Sequence, residues 1–304
     1  MSINPSWELL SVLSKVFIYL GAASVLGGAF CLLNYNDGRR TTLRQVLSLH
    51  LVGALLGLQA VAAAFLAQVG TASGSGLSGA FDRDMAGLLV STQLGDLSLF
   101  RAVGFAIWIG SGLFFYQTML QQTRAPRRLF YQRLFAVNAF GFIFLLLSFR
   151  FGGHVSVQSL PVQFALAVHF TMFALWIGAL CPLLTISRTE QFAELKVSLE
   201  RFSKHAVVIV SLLLLSGLAL MLSLIHSAAE LFTTAYGIAL ILKILLVIGL
   251  VAIAAVNKYI IVPRLLLQTD TAQFQRSVRL EIVVALLLLL LTAYLSTALG
   301  PAMH

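Results

Sequence analysis

The sequence predicts an all-α, polytopic membrane helical bundle of eight transmembrane helices with both termini outside, on the periplasmic side. Three observations predict it. Hydrophobic residues make up 59% of the chain and charged ones only 10%, against roughly 25% charged in a soluble domain, and the mean hydropathy is +0.95. Eight stretches are long enough for a hydrocarbon core about 30 Å thick, which takes about 20 apolar residues per helix. Basic residues gather after every second stretch, the alternation expected when one side of the membrane retains positive loops.

The eight stretches run in order. The first, roughly 12–33, carries Cys31 near its inner end and is followed by Arg39, Arg40 and Arg44. The second, roughly 46–69, is opened by His50 and leads into an outer loop, 70–99. The third, roughly 100–120, starts beside Arg101 and ends before Arg124, Arg127, Arg128 and Arg133. The fourth, roughly 130–149, returns to a short outer loop, 150–160, holding the glycine pair Gly152 and Gly153 and then His154. The fifth, roughly 161–186, begins at Pro161, contains His169 and Met172, and precedes Arg188, Lys196, Arg201 and Lys204. The sixth, roughly 205–226, opens with His205 and closes with Met221 and His226. The seventh, roughly 236–262, holds Lys243 and is followed by Lys258, Arg264, Arg276 and Arg279. The eighth, roughly 279–299, has Glu281 near its start. The chain divides into an N-terminal four-helix half, 1–150, and a C-terminal four-helix half, 151–304.

The net charge of +9 is thus a topology signal rather than a nucleic-acid footprint, because the clustered charge sits on alternate loops. The first stretch lacks a basic n-region, since Glu8 precedes Lys15, and so does not read as a cleaved signal peptide. Cys31 and Cys181 fall near inner helix ends, on a reducing side where disulfides are rare. The chain has no phosphate loop, HExxH or CxxC motif and no soluble nucleotide-binding domain. Transport or electron transfer fits this pattern better than hydrolysis, and the chain is not expected to be an enzyme unless it carries a redox group.

Function is then sought among polar side chains inside the spans, which cost several kcal/mol in lipid unless something meets them. His169 lies about eight residues after Pro161, roughly 12 Å below the outer end of its helix, and Met172 follows one turn later on the same face. Imidazole and thioether together suit copper, the thioether favouring the cuprous state. His154 sits in the glycine-flanked loop above, where the chain can fold it back toward His169, and His226 ends the next span on the same side. The candidate metal ligands are therefore His154, His169, Met172 and His226. The competing reading of His169 is a packed histidine donating to a main-chain carbonyl across the bundle. A second functional class is a b-type haem protein, possibly a metal reductase, since haem takes two histidines from facing helices at one depth; His50 and His205 form such a pair by depth at the inner side. Lys243 must snorkel, pair or lose its proton. Arg101 and Arg150 flank the outer level with Asp96 as a partner, and Glu281 is expected to pair with Arg279 or Lys258.

The C-terminal half also carries a recognisable order of elements. Gly153-His154 and His169 precede "ALWIGAL" at 174–180, "RFS" at 201–203 leads to Ser216-Gly217, and "TAYG" at 234–237 precedes Lys243. Asn257 precedes "VPRL" at 262–265, "RLE" at 279–281 opens the last span, and Pro301 follows it. Thr92, Gly95 and Arg101 supply a T-x-x-G…R element ahead of the third span. In this order and spacing the chain resembles the copper resistance protein D (CopD) family. The resemblance implies an eight-helix bacterial inner-membrane protein of copper resistance, uptake or ion transport, with copper as the bound metal. It also implies a periplasmic copper-binding partner, CopC-like, here expected to be a separate protein because no such domain is fused to this chain.

Overall fold

The computed structural model describes residues 5–35, 37–122, 124–152, 157–188, 192–225, 229–268 and 271–299. Among them the regular structure is entirely helical: α1 (Pro5–Tyr35), α2 (Arg40–Ser73), α3 (Arg83–Val90), α4 (Gln93–Gln121), α5 (Arg128–Ser148), α6 (Leu160–Ile186), α7 (Phe192–Leu224), α8 (Glu230–Thr233), α9 (Ala235–Val256), α10 (Val262–Gln268) and α11 (Ala272–Tyr294). Eight of these helices, counting α9 through Leu265 as one and α11 through Leu299 as another, are long and apolar enough to cross a membrane. The chain is a multi-pass helical membrane protein, as the composition predicted. The helices reach past the apolar stretches at most ends, because helical hydrogen bonding continues into the polar boundary where charged side chains are already solvated.

α1 is the centre of the bundle and packs against α2, α5, α6 and α11. Its sequence explains the position. Apolar side chains gain little from one another in lipid, so membrane helices associate by close backbone approach over small residues, and α1 is lined with them. A Cβ on Gly27 would fall 2.5 Å from the Cα of Gly178 on α6, and one on Gly178 would fall 1.8 Å from the carbonyl oxygen of Ala23. A Cβ on Gly21 would meet the carbonyl oxygen of Gly53 on α2 at 2.5 Å. The span containing α9 is the opposite case. Ile238, Leu242, Leu245 and Ile248 are exposed, which places this helix at the periphery, against lipid.

Side chains at the helix ends fix the turns. Thr92 caps α4 by accepting from the backbone N–H of Leu94 at 3.3 Å, and Gly95 lies where a Cβ would be 1.9 Å from the carbonyl oxygen of Val90. Thr234 caps α9 through the N–H of Gly237 at 2.9 Å. At the arginine-rich end, Asp37 accepts from Arg39 Nε at 2.6 Å and from Thr42 Oγ1 at 2.8 Å. Held in this way, Arg39 donates to the carbonyls of Ile186 at 3.0 Å and Arg188 at 2.7 Å. Arg40 donates to the carbonyls of Met119 at 2.6 Å and of Gln122. Guanidinium groups on exposed C-terminal carbonyls satisfy orphan acceptors and suit the negative end of the helix dipole.

One irregularity interrupts the seventh span. Residues Asn257–Ile261 form a π turn, with the N–H of Val262 donating to the carbonyl of Asn257. The cause is Pro263, which has no N–H and whose ring crowds the carbonyl four residues earlier. A locally widened turn relieves that clash and aims Asn257 into the bundle.

Candidate functional site

His169 is the tenth residue of α6, a helix that starts with Pro161 in its first turn. Its Nδ1–H donates to the carbonyl of Leu213 on α7 at 3.0 Å, and Ser216 Oγ lies 3.3 Å from the same nitrogen. Gly217 makes room for the ring: a Cβ there would be 2.9 Å from His169 Cε1. The Leu213 bond fixes the tautomer. Nδ1 carries the proton, so Nε2 keeps its lone pair, and none of the described residues hydrogen-bonds to it. A packed histidine would be held in this way, and so would a metal ligand, since ligating imidazoles are oriented by donating their other N–H to a carbonyl or carboxylate.

Met172, one turn further along α6, joins an apolar cluster with Trp176, Ile209 and Leu213. It therefore shares the α6–α7 seam with His169. Lys243 on α9 forms no hydrogen bond or ion pair among the described residues. His154 and His226, the other two expected ligands, lie outside the described residues. Among the described residues no three His, Cys, Asp or Glu side chains converge on a point.

The inner histidines have different partners. His50 on α2 is 2% exposed, and its Nε2–H donates to the carbonyl of Trp108 on α4 at 2.9 Å. Trp108 Nε1–H in turn donates to the carbonyl of Asn138 on α5 at 2.9 Å, and Ser111 donates to Asn138 Oδ1 at 3.1 Å. His205 on α7 is hydrogen-bonded through Nδ1 to the Tyr35 hydroxyl of α1, with Phe30 edge-on to its ring at 6.1 Å. The structure does not bring these two histidines together. Each is bound to a different helix, α1 packs against both α2 and α7, and a Cβ on Gly112 would already lie 3.0 Å from His50 Cδ2. These residues therefore do not fit a porphyrin between them.

The polar pairs expected at the span ends are rearranged. Arg101 Nε–H donates to Ser148 Oγ at 3.2 Å rather than pairing with Asp96. Glu281 pairs with neither Arg279 nor Lys258: its Oε1 accepts from Asn257 Nδ2 at 2.6 Å. Lys258 lies instead 5.0 Å from the ring centroid of Tyr259, and Arg279 is exposed. Lys15 on α1, not foreseen as a partner of the last span, donates to the backbone oxygen and hydroxyl of Ser296 at 3.1 and 3.0 Å. The signal for the Asn257 contact was present in the sequence, as an amide in an apolar run shortly before a proline. Its partner could not be read there, because the two lie on different helices.

Several elements that carried the sequence resemblance thus meet in pairs. Ser216-Gly217 faces His169, Thr234 and Gly237 build one helix cap, and Asn257 binds the glutamate of "RLE". Comparison with known proteins finds the same likeness in the C-terminal part of the chain. Residues 196–295 match the family described as "Copper resistance protein D". A curated protein of Bacillus subtilis (strain 168), "Copper transport protein CutJ", is 29% identical over 168 residues, which is 53% of this chain and 31% of that protein. The chain thus spans about a third of the length of the relative it matches. No solved structure matches it. Over residues 196–295, therefore, the chain is similar to the copper resistance protein D family.

Proposed function

We propose that the chain is a copper-handling protein of the bacterial inner membrane, which moves copper across or into that membrane from the periplasmic side. The arginine-rich end of the bundle faces the cytoplasm in this reading, since positive loops are retained there, and both termini lie outside. Copper arrives from a periplasmic copper-binding partner of the CopC type. The protein acts as a transporter and not as an enzyme.

The observation that carries the proposal is the His169 ring. One nitrogen is oriented by the Leu213 carbonyl and the other is left with a lone pair, within a membrane span and one helical turn from the Met172 thioether. An unsatisfied imidazole nitrogen in lipid is costly, and a soft monovalent metal supplies what it lacks. The sequence offers His154 and His226, which lie outside the described residues, as further donors. The name of the Bacillus subtilis relative, a copper transport protein, supports the same substrate.

The test is copper bound per purified protein, followed by copper uptake into proteoliposomes, for wild type, His154→Ala, His169→Ala, Met172→Leu and His226→Ala. The expected result is one high-affinity site that His169→Ala abolishes. Unchanged stoichiometry and affinity in all four variants would overturn the assignment.

A further inference from the structure

We propose that Glu281 is a proton-exchange site inside the membrane: a neutral carboxylic acid while paired with Asn257, which releases its proton as a cation passes. The second half of this statement rests on the transport reading above, whereas the first does not.

Glu281 is 4% exposed and Asn257 7%. Glu281 is the tenth residue of α11, roughly 14 Å along that helix, near the inner start of its apolar stretch and yet buried. An ionised carboxylate in such surroundings needs a cationic partner, and without one it takes up a proton instead. No ion pair to Glu281 is formed among the described residues. The ionisable groups on the elements around it do not supply one. Arg276 and Arg279 on α11 and Arg264 on α10 are exposed, and Lys258 on the π turn lies over the Tyr259 ring. α1 contributes Cys31, buried in an apolar cluster, and Tyr35, bonded to His205 of α7. α6 contributes Cys181, which is exposed. α9 contributes Lys243, fourteen residues and about 21 Å of helix before Asn257.

A second observation identifies the ligand as a proton. Asn257 gives its Nδ2–H to Glu281 Oε1, but its own Oδ1 is buried and without a hydrogen-bond partner. A side-chain amide offers one donor edge and one acceptor edge. A carboxylate offers only acceptors and can satisfy the first edge alone. A neutral carboxylic acid offers the complement of both, accepting from Nδ2 and donating its O–H toward Oδ1. The orphan acceptor therefore calls for a hydrogen on Glu281. The setting is a π turn, a local widening that recurs at functional sites, and here Pro263 enforces it. Release is a simple heterolysis: the O–H bond breaks, the proton leaves to water, the electron pair stays on the carboxylate, and the passing cation balances the new charge.

Infrared spectroscopy of the purified full chain in lipid tests the first half without copper. At neutral pH the wild type should show the C=O stretch of a protonated carboxyl group. Glu281→Gln should lose it, and Asn257→Leu, which removes the amide, should shift it. A spectrum in which Glu281→Gln loses no such band overturns the proposal; should that variant fail to fold, an unshifted band in Asn257→Leu does so. The second half is tested in proteoliposomes containing a pH dye, with cuprous ion added outside. Wild type should move about one proton per copper ion, and Glu281→Gln should bind copper as wild type does but move at least tenfold fewer protons. Equal proton movement in both overturns the coupling. Absence of copper uptake by wild type counts against the transport reading alone, because the infrared result still decides the state of Glu281.

Discussion

His50 and His169 occupy matching niches, one where α2 meets α4 and the other where α6 meets α7. Each donates one ring N–H to a helix carbonyl, of Trp108 in one case and Leu213 in the other. In both helices a serine follows that carbonyl by three residues and a glycine by four: Ser111-Gly112 and Ser216-Gly217. Both glycines clear space for the ring. The difference lies in what surrounds the niche. Around His50 the serine turns away to Asn138, Trp108 extends the network to α5, and the ring is sealed. Around His169 the serine stays at the ring and the residue is only half-buried, so Nε2, which like Nδ1 of His50 has no partner among the described residues, is the more accessible of the two nitrogens. The same local packing device thus serves as a lock in one niche and leaves a donor atom available in the other.

The largest expected contrast is in copper affinity. His169→Ala should weaken binding about a hundredfold or more, equivalent to about 2.7 kcal/mol, while His50→Ala should leave it unchanged; titration of both purified variants with cuprous ion checks this. Stability should show the reverse order. His50→Ala leaves the Trp108 carbonyl without the His50 donor in a sealed site and should cost about 1–3 kcal/mol, read as a lowered Tm in detergent, whereas His169→Ala should cost less. A smaller effect is expected from Gly112→Ala and Gly217→Ala. The Cβ added at 112 would lie 2.7 Å from Leu51 Cδ2 and 3.0 Å from His50 Cδ2, and the one at 217 would lie 2.9 Å from His169 Cε1, so these side chains must shift, at about 1 kcal/mol of overpacking; only the second should also alter copper binding. The smallest contrast is between the serines. Ser111→Ala adds an unsatisfied acceptor to Asn138, whose Nδ2 already has no partner, and should lower stability by about 1 kcal/mol. Ser216→Ala should change stability by less and copper affinity by two- to threefold, measured in the same titrations.

The sequence made the eight spans legible because lipid imposes one strong rule, a long apolar helix for every crossing, and that rule is written locally. The clustered arginines were legible for the same reason. His169 was singled out by depth alone, since an imidazole so far from Pro161 has few explanations. What could not be read was which helices are neighbours. His50 and His205 share a depth but belong to different contacts, and depth says nothing of azimuth. Glu281 was expected to pair with Arg279 or Lys258, yet α11 turns it inward to an amide aimed by a proline-induced π turn. His154 and His226 remain expectations from the sequence, as they lie outside the described residues.

The arginines at the first turn also impose an order in time. Arg39 binds carbonyls 147 and 149 residues further along the chain, and these do not exist when the first helical hairpin enters the bilayer. At synthesis rates of about 5–20 residues per second, the guanidinium waits roughly seven to thirty seconds for its acceptors. The hairpin must therefore hold its orientation by charge alone before this latch can close, and a closed latch marks a chain whose fifth crossing is complete.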